Sequence, residues 1–281
     1  FAGVHAPDWS WGALIFDYNN DGHKDIYVAN GIAKDLMDQD YINYYANTAF
    51  TGSAARKDST LLTKLMDKIP STPVSDYLFE NLGDLRFTNR AVLGISEAGF
   101  SNGAAYGDLD NDGAIDLVVN TINSTARVYK NQSRVVNKNN FIQIRLIGEG
   151  KNTAAFGAQV TVHCGKQTFY AEQSPVRGYL SSVDPKIHMG IGTNKTIDSI
   201  VIEWSPRRLT TLIRPLVNQL HTIDVKDSRV RQSKLPLPAA TLFQTNKEIV
   251  SYFHSGNGFV DFNRDRLLFE MLSNEGQRMA T

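Results

Sequence analysis

GALIFDYNNDGHKDIYVAN, residues 12–30, and GAAYGDLDNDGAIDLVVNT, residues 103–121, are two copies of one pattern: Gly-Ala, a short apolar run, an acidic loop, a second apolar run. The offset is 91 residues throughout, pairing Asp17 with Asp108, Asn19 with Asp110, Asp21 with Asp112, Gly22 with Gly113 and Asp25 with Asp116. A recurring unit of this kind points to a fold built from repeated supersecondary units. The loop has the form D-x-[DN]-x-D-G-x-x-D. It places oxygen-bearing side chains at its first, third, fifth and ninth positions around a glycine that must reverse the chain, which predicts positive φ at Gly22 and Gly113.

Three carboxylates in the first loop and four in the second repel one another at close range unless a cation intervenes. An all-oxygen ligand set suits a hard divalent ion, and a flexible carboxylate-rich loop with one main-chain carbonyl suits Ca2+ better than Mg2+. The expected ligands are Asp17, Asn19, Asp21 and Asp25 with the carbonyl of His23, and Asp108, Asp110, Asp112 and Asp116 with the carbonyl of Ala114. The plain alternative is a solvated Asx turn with no ion. The His23 side chain is expected to face solvent. An EF-hand opens in the same way but needs a bidentate Glu at position twelve and helices on both sides. Position twelve is Val28 in one copy and Val119 in the other, and the flanking runs are β-branched or aromatic, so the motif reads as strand-loop-strand.

Residues 1–135 resemble the FG-GAP repeat, also called the VCBS-type repeat, whose family builds one β-propeller blade per copy. YLFENLGDLRF at 77–87 resembles the family's outer hairpin, and RVYKN at 127–131 its counterpart in the second copy. Residues 32–76 interrupt the strand pattern. Leu36, Met37, Tyr41, Tyr44 and Tyr45, then Leu61, Leu62, Leu65 and Met66, predict two short helices in an insertion whose tyrosines either pack on the blade edge or form a binding platform.

NQSRVVNKNN at 131–140 reads as a solvated linker rather than a basic patch. Beyond it, FIQIRLIG, AQVTVHC, QTFYAEQ, IDSIVIEW and HTIDV predict an all-β unit, a small sandwich or barrel. Residues 141–226 resemble the ASPIC/UnbV domain that commonly follows FG-GAP repeats. The match is carried by Arg145 to Gly148, AFGAQVTV at 155–162, RGYLSS at 177–182, HMGIG at 188–192, and Ile200 to Trp204 with Ser205 and Pro206. Family members carry Trp-Pro at that turn, where this chain has Trp204-Ser205-Pro206-Arg207. The combination resembles exported bacterial proteins of the cartilage acidic protein-like type. Residues 227–281 read as a connector and the lead-in to a further propeller segment. A closed propeller needs at least four blades, so the remaining blades are expected in a longer chain.

The expected fold class is therefore all-β dominated: a partial β-propeller with a helical insertion, then a small β-sandwich or barrel. Twenty-nine Lys and Arg balance 29 Asp and Glu across 281 residues, which argues against the broad positive field that nucleic-acid binding requires. No apolar stretch is long enough to span a bilayer. A single cysteine, Cys164, excludes an internal disulfide and any multi-thiolate metal site. Standard nucleophile, zinc-hydrolase and phosphate-loop motifs are absent. Whether the chain is an enzyme stays open, with the balance against it. The expected function is a calcium-stabilised extracellular or cell-envelope module, secreted or outer membrane-associated, that recognises a glycan or protein partner. The alternative is a carbohydrate-active enzyme, a polysaccharide lyase or hydrolase, or an accessory subunit of polysaccharide utilisation.

Overall fold

A computed structural model describes residues 2–4, 8–35, 37–44 and 66–230. Phe1–Gln232 form one compact unit. The second unit, Ser233–Thr281, lies outside the described residues, and with it the expected further propeller segment.

The chain is β-dominated. Its first sheet is an antiparallel meander of β1 (Ser10–Phe16), β2 (Asp25–Asn30), β4 (Tyr77–Asn81) and β5 (Phe87–Asn89), and β3 (Val74–Ser75) pairs separately with β6 (Ala98–Gly99). A second meander joins β7 (Ser101–Gly107), β8 (Asp116–Thr121) and β9 (Arg127–Tyr129). β1 and β7, the first strands of the two copies, pack against each other, and Phe16 stacks on Tyr106 with ring centroids 4.8 Å apart. Leu14, Tyr27, Ala29, Leu78, Ala104, Leu117 and Val119 fill the space between the two sheets.

Of the expected insertion helices, residues 39–44 and 66–67 are helical, while residues 36 and 45–65, including Tyr45, Leu61, Leu62 and Leu65, lie outside the described residues. The insertion returns through a buried polar knot. Asp76 accepts from the Tyr27 hydroxyl at 2.7 Å, the Asn30 amide at 2.9 Å and the Ser101 hydroxyl at 2.9 Å, tying β2 and β7 to the start of β4. Three donors offset much of the cost of burying that carboxylate.

After β9 a short helix α1 (Ser133–Val136) leads into two further sheets. One is β13 (Ile187–Gly192), β10 (Asn140–Ile147) and β16 (Leu220–Asp224), with β10 and β16 parallel. The other is β12 (Gln167–Glu172), β11 (Gln159–Cys164), β14 (Ser199–Ser205), β15 (Arg208–Ile213) and β17 (Arg229–Val230). Alternation explains how they pack: Ile142, Ile144 and Leu146 of β10 point one way into a core shared with Val160 and Val162 of β11 and Ile200 and Ile202 of β14. Truncating one of these fully buried isoleucines to Ala costs about 2–5 kcal/mol. Cys164 is a buried member of this core. All five strands predicted in this half form, and β13, β15 and β17 complete the sheets.

The opposite face of β10 and β13 positions the site. Phe141 and Gln143 point away from the core yet are buried, whereas Arg145 and Ile147, further along the same face, are exposed. What covers them is the pair of acidic loops.

Candidate metal site and its seat

Both loops join two antiparallel strands, β1 to β2 and β7 to β8, so the strand-loop-strand reading holds and the helical flanks of an EF-hand are absent here. Val28 and Val119, at the twelfth position, are buried in the core, where no ligand could stand. The two turns share one backbone. Asn20 and Gly22 lie at φ 60° and 92°, Asn111 and Gly113 at 58° and 87°, so the expected positive φ is present at both glycines.

The carboxylates organise these turns by accepting from loop amides. In the first loop, Asp17 accepts from Asp21 N at 3.2 Å and Gly22 N at 2.8 Å, and Asp25 accepts from Tyr18 N at 3.1 Å and Asn81 N at 2.8 Å. Each oxygen of these two buried carboxylates has an amide. Asn19 donates to Asp21 at 3.1 Å and to Glu80 at 3.2 Å, Asp21 accepts from His23 N at 2.7 Å, and the His23 side chain is exposed as expected. Burial pushes the Asp17 carboxyl up to about 6 and the Asp25 carboxyl up to about 8, in each case against the loop amides that favour the ionised form.

In the second loop Asp116 accepts from Leu109 N at 2.9 Å and Asn131 N at 2.8 Å, the counterpart of the Asp25 arrangement. Asp112 accepts from Ala114 N at 2.8 Å, and Ala114 itself is buried. Asp108 differs. Its Oδ2 accepts from Gly113 N at 3.0 Å and Gln143 Nε2 at 2.6 Å, while its Oδ1 is buried with no partner. Asp110 lies at the exposed mouth, hydrogen-bonded to the Lys130 ammonium, which holds its carboxyl below the usual carboxylate range and stands 4.0 Å from Asp112.

Asp108, Asp110 and Asp116 each offer an oxygen, all within 4.8 Å of one another. That span matches the ~5 Å separating ligands on opposite sides of a calcium-sized ion with metal–oxygen distances near 2.4 Å. Among the described residues it is the one group of three His, Cys, Asp or Glu side chains with this spacing. Together with the partnerless buried oxygen of Asp108, the set could hold a metal ion. The structure thus brings together Asp108, Asp110 and Asp116, with Asp112 beside them. Asp17, Asp21 and Asp25 form the same turn without meeting that spacing.

The seat on which the loops rest was not visible in the sequence. Gln143 of β10 and His188 of β13 point outward into them. His188 stacks on Phe141 with centroids 5.3 Å apart, its Nε2 lies 2.7 Å from Asn20 Oδ1 and its Nδ1 lies 3.4 Å from Gln143 Nε2. Asn20 in turn donates to the Gly113 carbonyl at 2.8 Å. The partners fix a neutral imidazole with its proton on Nε2, since Nδ1 faces an amide donor. Burial first, then Lys24, Lys186 and Arg134, push the His188 imidazole down to about 3. Between Met189 and Ile191, Gly190 gives the first loop its clearance, because a Cβ there would stand 2.1 Å from Asp17 Oδ2 and 2.4 Å from Asn20 Cα.

The stretch at 131–140 differs from a solvated linker. Asn131 donates to the carbonyls of Tyr18 at 2.7 Å and Ile115 at 2.8 Å, one within each acidic loop, Ser133 Oγ donates to Tyr18 O, and Asn139 donates to Asn19 O at 3.0 Å. Arg134 lies 4.9 Å over the Phe141 ring. Asparagine-rich composition looks like a linker, but here it supplies side-chain amides to carbonyls of both acidic loops.

Residues 148–230 match the model of the family described as ASPIC and UnbV, which accounts for β11 to β17. Against the expected 141–226, the match begins at 148, after β10, and extends through Val230, where β17 pairs with β15. A search of curated proteins finds no match to the chain.

Proposed function

We propose that this chain is a calcium-stabilised extracellular or cell-envelope binding module, in which two FG-GAP-type propeller blades carry the ion and rest on an ASPIC/UnbV-type sandwich. The observation that carries the reading is the partnerless, buried Oδ1 of Asp108 beside the oxygens of Asp110 and Asp116. A buried acceptor without a partner costs about 1–3 kcal/mol, more for a charged group, and a divalent cation at that point would remove the cost. All-oxygen ligation favours a hard ion, and the millimolar calcium outside cells suits a partly exposed loop of modest affinity. The first loop is the weaker second site, because both oxygens of Asp17 already accept a loop amide, where its counterpart Asp108 keeps Oδ1 without a partner.

Calcium in this reading is structural. Asp17 and Asp25 are held by backbone amides as turn-formers and Asp108, Asp110 and Asp116 stand as ligands, which supports a binding module over the carbohydrate-active alternative. For a glycan or protein partner, the supporting feature is a cleft of about 500 Å3 between the loop-bearing sheets and β12, lined by Tyr106, Tyr170, Lys24, Arg177, Glu172 and Asp184. Aromatic faces with mixed charges suit a polar, ring-bearing ligand. No helix among the described residues is long and apolar enough to cross a membrane.

Calorimetry and thermal unfolding of the 281-residue chain test the reading. Calcium at a hundredfold excess over its dissociation constant should stabilise the fold by about 2.7 kcal/mol, and Asp108→Ala combined with Asp17→Ala should abolish the gain. No calcium heat and no sensitivity to chelator would overturn it.

A further inference from the structure

Five groups close a ring around the second acidic loop. Gly113 N and Gln143 Nε2 both donate to Asp108 Oδ2, Gln143 Nε2 also reaches His188 Nδ1, His188 Nε2 reaches Asn20 Oδ1, and Asn20 Nδ2 donates to Gly113 O. The ring alternates donors and acceptors without conflict. It draws on three separate parts of the chain: the two acidic loops and the outer face of β10 and β13. We infer that Gln143 is a positioning residue for the metal site, so that the ligand geometry of the second loop is set by the β-unit beneath it and by the first loop through Asn20 and His188.

The chemistry follows from where the amide is attached. Gln143 is buried, and its side chain holds Oδ2 of Asp108 from below at 2.6 Å. With Gly113 N on the same oxygen, Oδ2 is fully engaged, and Oδ1 is left as the free ligand atom. Rotation of the carboxylate, which would cost the loop its fixed ligand, breaks both bonds. Gln143 cannot swing away either, because its second N–H is directed to His188, which is clamped between the Phe141 ring and Asn20. Phe141 closes the same wall: a Cβ at Gly113 would stand 2.0 Å from its ring. Groups bonded to first-sphere ligands in this way commonly change metal affinity by about 10–100-fold when removed. The first loop has no equivalent: the oxygens of Asp17 are held by amides of its own loop alone.

This inference rests on the metal reading above, and the test separates the two. Calcium is titrated calorimetrically into the full chain, Gln143→Met, Asp108→Ala and the double variant. Gln143→Met keeps the side-chain length and removes both donors. The expected result is a roughly 10–100-fold loss of affinity at the tighter site for Gln143→Met, and no further loss when it is added to Asp108→Ala. Ile202→Val, a core change in the same β-unit, should leave calcium affinity unchanged, whereas a merely structural role for Gln143 would make both variants lose it. As a second readout independent of any variant, the Gln143 side-chain amide resonances of the full chain should shift on calcium addition. Wild-type calcium affinity in Gln143→Met, or unmoved Gln143 resonances at saturating calcium, would overturn the inference while leaving the metal reading intact. Absence of calcium binding by the wild-type chain would overturn both.

Discussion

The two acidic loops have the same backbone and different chemistry. Asn20 and Asn111 occupy the same left-handed position, yet Asn20 is buried between His188 and Gly113 while Asn111 is exposed. At the third position the first loop has Asn19, whose amide donates toward Glu80, and the second has Asp110, whose carboxylate accepts from Lys130. Glu80 and Lys130 each immediately precede the asparagine, Asn81 or Asn131, whose amide binds the ninth-position carboxylate, so charge is exchanged across equivalent contacts. The two copies therefore share one amide-bonded turn. Aspartates bonded to backbone amides shape it in both, and the copies differ in what surrounds it.

Breaking the seat should give the largest effect. Gly190→Ala drives a Cβ into Asp17 and the Asn20 backbone, and should destabilise the fold by about 3 kcal/mol in urea unfolding. An unchanged midpoint would show that the first loop is not seated there. Next, exchanging the differing pair should move the metal preference. Asn19→Asp with Glu80→Lys gives the first loop the charges of the second, and calorimetry should show calcium affinity at the first loop rising about tenfold, since affinity follows the number of charged ligands. If it does not rise, the surroundings beyond this pair set the difference.

The pH dependence separates the loops through His188, which touches Asn20 and Gln143 but no expected ligand. Its pKa falls from 6.5 to about 3 on folding. The unfolded chain then binds a proton that the folded chain refuses, so this contribution to stability is complete above pH 6.5 and is lost as pH falls toward about 3. Urea unfolding should lose up to about 1.4 kcal/mol per pH unit from this group, a slope that His188→Gln should flatten. The positive charges of Lys24, Lys186 and Arg134 add to burial in disfavouring the imidazolium. Asp17 and Asp25, raised to about 6 and about 8, act with the opposite sign over an overlapping pH range, so the His188 contribution is read as the difference between wild type and His188→Gln. The smallest effect belongs to the mouth of the second loop. Lys130→Met removes an ammonium that competes with a bound cation, and calcium affinity should rise about threefold, a change of about 0.7 kcal/mol by the usual conversion; a fall would mean that Lys130 supports the ligand set.

Much of this was legible in the sequence. The repeat, the strand-loop-strand flanks and the left-handed glycines are local, so spacing and residue type suffice for them, and the alternation in FIQIRLIG placed β10 correctly. What stayed hidden is the covering of one face by distant segments. Gln143 sits at an outward position of an alternating strand, where a polar residue ordinarily means solvent. Its burial depends on loops far away in the chain, and only the neighbouring outward Phe141 hinted at a covered face. The glycine in HMGIG was another trace of close approach. At 131–140 the polar composition was read as solvation because side-chain amides look alike in sequence whether they meet water or a carbonyl.

An anomalous difference map from crystals of the full chain grown with calcium tests the central claim most directly. The expected result is a peak among Asp108, Asp110 and Asp116, with Asp108 Oδ1 as a ligand and Oδ2 still held by Gln143, and a weaker peak or none at the first loop. A map with no peak at the second loop, or with its only peak at the first, would contradict it.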